Sequence, residues 1–231
     1  MPLLRRETLA RVLPFALFMA LIGAEEGLGY LSPYLGLHLD KSTAVYFYPL
    51  KAVAAGIAIL YFWKDYNELN FRDLLRPGKT ALSVLTGLAV FALWINMDWG
   101  FARFGSAEAF DPQSIAAGSN RTLFMATRLL GASLLVPVME ELFWRSFLIR
   151  YIENPDFKSV QIGAWSLTPF LAVTLLFGLE HNMVAAGLMA GAAYNLLLYR
   201  TRSIAQCIIA HSTTNLCLGA YVIMTGSWQF W

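Results

Sequence analysis

Two adjacent glutamates, Glu140 and Glu141, lie near the middle of an apolar run over residues 129–151. Charged side chains inside a membrane span are energetically costly, so they mark functional sites by default. Arg145 follows Glu141 by four residues, so these two share a helix face and can form an ion pair. Glu140 is rotated about 100° away and has no such partner. We therefore expect a structural role for Glu141 and Arg145, and a general base or acid at Glu140.

Two of the three histidines, His181 and His211, also stand in apolar sequence. His181 follows Phe177 by four residues and His211 precedes Asn215 by four, so each pair shares a helix face. A rise of 1.5 Å per residue places His211, Glu140 and His181 about 10, 16 and 20–25 Å from the inner ends of their spans. The sequence therefore predicts a cytoplasm-facing cavity in the membrane that gathers these three side chains.

The composition predicts that the elements positioning these residues are membrane helices. Of 231 residues, 58% are apolar and 14% are charged, whereas soluble domains contain about 25% charged residues. The mean hydropathy is +0.54. A net charge of +2 is too small to indicate a polyanionic partner. These values exclude an ordinary soluble globule, a disordered tail and a nucleic-acid-binding protein, and they predict a lipid bilayer as the environment.

Seven apolar segments approach the roughly 20 residues that a spanning helix needs. They are residues 9–24, 43–63, 80–99, 129–151, 163–180, 183–199 and 204–225. We therefore predict an all-α fold, a polytopic membrane bundle of seven or eight transmembrane helices over 1–231. Residues 1–120 form its less specific N-terminal spans, and 121–225 form the core that carries the motifs. Residues 122–128 are either an interfacial helix or an extension of the fourth span.

The distribution of basic residues predicts the topology, because lysine and arginine accumulate on the cytoplasmic side. With the N-terminus in the cytoplasm and the C-terminus outside, the outer segments hold three such residues, Lys41, Arg103 and Arg121. The inner segments then hold eleven: Arg5, Arg6, Arg11, Lys64, Arg72, Arg76, Lys79, Arg150, Lys158, Arg200 and Arg202. The first apolar run is interpreted as an uncleaved span, with a signal peptide as the alternative.

The remaining ionisable groups in or beside the spans are expected to have structural roles. Lys51 and Arg128 can pair or extend towards the interface. Glu25 and Glu26 follow the first span and are expected to be solvated at the outer interface. His38 lies in the first loop and is expected to be exposed to solvent.

The three motifs, taken together, resemble the type II CAAX prenyl endopeptidase family. This group includes intramembrane CAAX proteases and proteins of bacteriocin processing or immunity. The resemblance covers about residues 120–225, and its motifs occur in order as Glu140-Glu141-x-x-x-Arg145, Phe177-x-x-x-His181 and His211-x-x-x-Asn215.

The resemblance implies hydrolysis of a peptide bond within or at the membrane, without a metal. Glu140 would activate a water molecule and His181 would hold or polarise it. His211 and Asn215 would stabilise the oxyanion formed on the scissile carbonyl. The substrate would be a membrane-associated protein or peptide, which in some family members is prenylated at a CAAX-like sequence. Glu141, Arg145 and Phe177 would support the site.

Three other hypotheses use the same residues. In a zinc peptidase, His181, His211 and one of the two glutamates would bind the metal, with water as the fourth ligand. In a non-enzymatic immunity protein, the cavity would bind a peptide. In a transporter, the ionisable groups would relay protons, although the spans lack the repeat symmetry of many transporters.

Overall fold

A computed structural model describes residues 5–32, 34, 46–103, 115 and 118–230. Within these ranges it contains seven main helices and no strand, which confirms the predicted all-α fold. They are α1 (Arg6–Leu31), α2 (Phe47–Tyr61), α3 (Pro77–Trp94), α4 (119–153), α5 (Leu167–Glu180), α6 (Val184–Thr201) and α7 (Ile204–Thr225). By length and apolar composition, α1, α3, α4 and α7 can cross a membrane, and α2 and α5 are shorter apolar helices. His38 lies outside the described residues.

Successive helices run in opposite directions, which gives the bundle two ends. We call the end with the start of α1 the N-terminal end; it also holds residues 62–76, 154–166 and 202–203. Lys79 Nζ donates a hydrogen bond to the Thr201 carbonyl there at 2.8 Å, and Arg5 and Asp156 lie 4.0 Å apart. The opposite end, the C-terminal end, holds the last turns of α1, α3 and α5 and residues 226–230.

Helix α4 is irregular around the paired glutamates. It contains π-helical turns at Gly131–Leu135 and Leu142–Leu148, and Glu140 and Glu141 end the six-residue α-helical segment between them, Val136–Glu141. A π-helical turn widens the helix and changes the register of the residues beyond it, often at a functional site. Because α4 begins at Ser119, residues 122–128 extend the fourth predicted span.

Small residues allow the helices that carry the histidines to approach closely. A Cβ atom built on Gly87 of α3 would clash with the Ala210 carbonyl of α7, so the two backbones are in contact. A Cβ atom on Gly187 of α6 would lie 3.0 Å from the Gly178 Cα of α5. Such contacts between small residues are the usual basis of close helix packing in membranes, and they fix α5 and α7 around the same interior space.

The charged groups near the C-terminal end form a contact that was not predicted. Lys51 Nζ lies 2.5 Å from Glu25 Oε2, and the Glu25 side chain remains 31% exposed. Lys51 on α2 reaches it because α1 and α2 are antiparallel neighbours. Glu26 is exposed as predicted. The Arg128 guanidinium lies 5.5 Å from the centre of the Tyr48 ring, consistent with its predicted structural role.

A buried ionic cluster connects three parts of the bundle at the N-terminal end. Arg11 of α1 is 1% exposed and donates two hydrogen bonds to Glu68, at 2.7 and 2.5 Å. The Ser146 hydroxyl of α4 also donates to Glu68. Burial alone would raise the pKa of Glu68. Its hydrogen bonds to Arg11, the positive charge of Arg11 and the Ser146 hydroxyl together have a larger, opposite effect, so the pKa of Glu68 lies below its ordinary value.

Glu68 should therefore make the stability of the bundle depend on pH. Because its pKa is lowered on folding, its contribution is fully present above the ordinary carboxyl pKa and is lost as pH falls through the lowered value. We expect the melting temperature in detergent to fall less steeply with acidification in Glu68→Gln than in the parent. The control is Glu153→Gln, a change at an exposed glutamate, which should leave the pH dependence of the melting temperature as in the parent. If the melting temperature of Glu68→Gln fell as steeply with acidification as that of the parent, Glu68 would not be the source of the pH dependence.

Candidate active site

The four predicted catalytic side chains line a single cavity of about 190 Å³. Glu140 comes from α4, and His181 directly follows α5. His211 and Asn215 lie one turn apart on α7. Most of the other wall residues are apolar or aromatic, including Trp94, Phe177, Tyr194, Leu218 and Phe230. Residues distant in sequence thus converge on one interior space, as predicted for Glu140, His181 and His211.

The Glu140 carboxylate is held in this cavity without a protein donor on one of its oxygens. Its residue is 7% exposed, and Oε2 has no hydrogen-bond partner among the described residues. The Trp144 indole, four residues after Glu140 on α4, packs edge-on against the Phe177 ring, with ring centroids 5.8 Å apart. Because Glu140 Oε2 accepts no hydrogen bond from a described residue, it can accept a proton from water, which is the task of a general base.

The predicted ion pair between Glu141 and Arg145 is confirmed and is completely buried. Arg145 Nη1 lies 3.2 Å from Glu141 Oε1, and both side chains are 0% exposed. The other two guanidinium nitrogens donate to Asn195 Oδ1 at 3.2 Å and to the Gly191 carbonyl at 3.3 Å. The guanidinium also lies 4.4 Å from the centre of the Phe177 ring. Arg145 therefore ties α4 to α5 and α6 behind the cavity wall.

His211 contacts Glu141, which the sequence interpretation did not foresee. Its Nδ1 lies 2.9 Å from Glu141 Oε1, and its ring stacks on Tyr194 with centroids 5.0 Å apart. Because a carboxylate only accepts, Nδ1–H donates this bond and leaves Nε2 as the second functional nitrogen. Glu141 therefore orients the imidazole besides pairing with Arg145, the arrangement in which a carboxylate fixes a histidine tautomer.

His181 is oriented by its own helix. Its Nδ1 lies 2.7 Å from the Phe177 carbonyl, which is an acceptor only, so Nδ1 carries the proton and Nε2 is the acceptor. Trp94 from α3 packs edge-on against the imidazole with centroids 5.4 Å apart. The four-residue spacing of Phe177 and His181 is therefore explained by a hydrogen bond from the histidine to the last turn of α5.

Asn215 is anchored to a π-helical turn of α4. Its Nδ2 donates to the Ala132 carbonyl at 2.9 Å, which leaves the second N–H of the amide group for another acceptor. The bond joins α7 to α4 on the side of the cavity towards the C-terminal end. Asn215 and His211 therefore line the same cavity, but each is held by a different part of α4.

Glu180 is a third carboxylate beside the site that the sequence interpretation did not select. It is the last residue of α5 and directly precedes His181. Its Oε2 is buried without a hydrogen-bond partner among the described residues. Glu180 could have been selected from the sequence, because it is an acidic residue inside the Phe177-x-x-x-His181 motif, at the end of an apolar helix.

The position of the cavity makes two of the topology predictions incompatible. It extends from His211, near the start of α7, to Trp94 at the end of α3 and to Phe230. It therefore reaches the C-terminal end of the bundle, opposite the start of α1. The sequence predicted both a cytoplasmic N-terminus and a cavity that opens to the cytoplasm. These two predictions cannot both hold, because the start of α1 and the end that the cavity reaches are opposite ends of the bundle.

Comparison with known protein families gives a match over part of the chain, residues 122–217. No curated protein and no solved structure matches the chain significantly. The matching family model spans residues 122–217 and includes all seven motif residues. It supports a membrane-bound peptidase of the CAAX type and confirms the resemblance seen in the motifs. Residues 122–217, which supply most of the cavity wall, thus match the type II CAAX prenyl endopeptidase Rce1-like family.

Proposed function

We propose that this chain is an intramembrane endopeptidase that uses a glutamate-activated water molecule. The observation that carries the proposal is the convergence of Glu140, His181, His211 and Asn215 on one cavity in the segment that matches the protease family. The substrate is a membrane-associated protein or peptide whose scissile bond enters this cavity.

In the proposed reaction, water attacks the carbonyl carbon of the scissile peptide bond. Glu140 takes a proton from the water as its oxygen bonds to carbon, and His181 Nε2 accepts a hydrogen bond from the same water. The C–N bond then breaks, and the protonated Glu140 returns the proton to the leaving amine. The burial of Glu140 and the orientation of His181 by the Phe177 carbonyl support these two roles.

His211 and Asn215 donate to the oxygen that becomes negative in the tetrahedral intermediate. Because His211 Nδ1–H is bonded to Glu141, donation from Nε2 requires the doubly protonated imidazolium, and the Glu141 carboxylate stabilises that cation. Asn215 donates the second N–H of its amide group, the one that is not bonded to the Ala132 carbonyl. In this proposal Glu141 is a positioning residue as well as a partner of Arg145.

A kinetic double-mutant cycle tests the oxyanion pair. Replacing His211 or Asn215 by Ala should each cost about 2.7–4 kcal/mol of transition-state stabilisation, the scale of one lost oxyanion donor. The double variant should lose much less than the sum, because the two donors act as a unit. Full additivity in kcat/KM would contradict the joint role.

The metal-free part of the proposal has its own test against the zinc hypothesis. Among the described residues, no group of three or more His, Cys, Asp and Glu side chains is arranged to hold a metal ion. We expect purified active protein to contain less than one equivalent of metal and to keep its activity in a strong chelator. Stoichiometric zinc, with activity lost to the chelator and restored by zinc, would establish the alternative.

A further inference from the structure

A second cavity lies at the N-terminal end of the bundle, away from the catalytic side chains. It has a volume of about 250 Å³ and is enclosed by the end of α4, residues 160–166, the start of α5 and the end of α6. Its wall combines apolar side chains with charged and polar ones, which are Arg150, Glu153, Gln161, Ser166 and Tyr199. None of these residues lines the candidate active site, so the proposed peptidase reaction does not account for them.

Arg150 brings a buried positive charge to the wall of the second cavity. It is 6% exposed, and its three hydrogen bonds go to the Ser146 carbonyl, the Ser146 hydroxyl and the Val160 carbonyl. A guanidinium group has five N–H donors, so two of them remain for another acceptor.

No carboxylate of the described residues forms an ion pair with Arg150. Glu68, in the buried cluster beside it, uses both of its oxygens for Arg11, and Arg150 reaches that cluster through the Ser146 hydroxyl. Two guanidinium groups in this region therefore share one carboxylate. Because a buried charge is costly unless it is paired, the charge of Arg150 favours an anion in the adjoining cavity.

Tyr199 and the start of α5 add hydrogen-bond donors to the same wall. The Tyr199 hydroxyl is buried and has no hydrogen-bond partner among the described residues. Helix α5 begins at Leu167, and the Ser166 side chain makes no capping hydrogen bond, so the first N–H groups of the helix have no partner within it. Guanidinium groups and helix N-termini are frequent donors to phosphate. A tetrahedral phosphate has more acceptor oxygens than a carboxylate and can accept from all of these donors.

Glu153 adds one negative charge to the wall of the second cavity. It follows Arg150 by three residues on the α-helical segment Ile149–Glu153, so the two side chains share a helix face, with Cβ atoms about 5–6 Å apart. They form no ion pair with each other, and Glu153 is exposed. A cation and an anion side by side match a ligand in which a phosphate and an ammonium group are joined by two carbon atoms.

We propose that the second cavity binds a phosphoethanolamine group, carried by phosphatidylethanolamine of the bilayer. Arg150 and Tyr199 donate to the phosphate, and Glu153 accepts from the ammonium group. Trp165, also on the wall, is 60% exposed and packs edge-on against Tyr199 with ring centroids 4.9 Å apart. Exposed tryptophan and tyrosine residues are enriched at the membrane–water interface, where lipid headgroups lie. This position favours a bilayer lipid over a free compound as the source.

A thermal-shift titration of the purified full chain in detergent tests this proposal without relying on peptidase activity. The probes are dihexanoyl phosphatidylethanolamine, dihexanoyl phosphatidylglycerol and free phosphoethanolamine, because a ligand that binds only the folded chain raises the melting temperature with concentration. We expect the phosphatidylglycerol probe, which lacks the ammonium group, to bind about tenfold more weakly than the phosphatidylethanolamine probe, the scale of one lost ionic hydrogen bond. An equal response to free phosphoethanolamine would overturn the lipid source. No response to either phosphoethanolamine compound would overturn the site.

Substitutions then assign the response to named residues. Tyr199→Phe removes a hydroxyl without a partner among the described residues, so the fold should persist while phosphatidylethanolamine binds about tenfold more weakly. Tyr46→Phe, the same change at a 72% exposed tyrosine at the other end, should respond like the parent. Glu153→Gln should bind the two lipid probes alike, and Arg150→Lys, which loses the planar fork, should weaken both. Parent-like responses in Tyr199→Phe and Glu153→Gln would overturn the proposal even if Arg150→Lys failed to fold.

Discussion

Replacement of Glu140 by Gln is expected to abolish cleavage and leave the fold intact. The amide retains the shape of the side chain but cannot take a proton from water, so kcat should fall by at least the roughly 10²–10⁴-fold that general-base catalysis supplies. The fold should persist, because Oε2 of Glu140 accepts no hydrogen bond from any described residue. Peptide binding should also persist, since the cavity walls are unchanged.

The measurement compares kcat, KM and melting temperature of the purified proteins on a fluorogenic lipopeptide panel. Glu26→Gln is the matched control, because the same change is made at an exposed glutamate and should leave all three quantities at parent values. Near-parent turnover in Glu140→Gln would refute the glutamate mechanism. The zinc and peptide-binding hypotheses would then take precedence.

Replacement of Arg145 by Ala is expected to produce the largest loss of stability. The guanidinium is fully buried and bonded to Glu141, Asn195 and the Gly191 carbonyl. Removing one partner of a buried pair leaves the other charge uncompensated, which typically costs about 3–5 kcal/mol. The same change removes the cation behind Glu141, so the orientation of His211 should also be disturbed.

Thermal unfolding in detergent measures this effect, with Arg200→Ala as the control. Arg200 is exposed at the end of α6, so its replacement should change the melting temperature little. An Arg145→Ala protein that is as stable as the parent but inactive would contradict the structural role. It would instead place Arg145 in the chemistry of the site.

Local spacing predicted the parts of the site that depend on one helix. The Glu141–Arg145 pair follows from a separation of four residues, and so does the bond from His181 to the Phe177 carbonyl. The apolar runs and the polar separators also located the seven main helices of the described chain. These features are local in the chain, so helix geometry alone determines them.

Contacts between distant helices could not be predicted in this way. Glu141 and His211 are separated by 70 positions, and their contact depends on how α4 and α7 cross. The π-helical turns on both sides of Glu140–Glu141 shift the register of α4 away from an ideal helix, and no residue pattern marked them. The ion pair of Glu25 with Lys51 was missed for the same reason, since it joins α1 to α2.

The end of the bundle to which the cavity opens also depends on tertiary structure. Depths counted along single spans placed the three main side chains at about 10 to 25 Å from the inner ends, but they did not show which way the space between the helices extends. Trp94 and Phe230 decide that direction, because they line the cavity from the end of α3 and from the chain beyond α7. Neither residue belongs to a motif.

Quantitative peptide mapping of membranes tests the central claim most directly, because it identifies the substrate and the cleaved bond in the same experiment. Membranes and secreted peptides are compared from cells that carry the parent, Glu140→Gln or Glu26→Gln at equal protein levels. We expect at least one peptide bond that is cut with the parent and with Glu26→Gln but stays intact with Glu140→Gln. Identical cleavage patterns with all three proteins would contradict an endopeptidase site at Glu140.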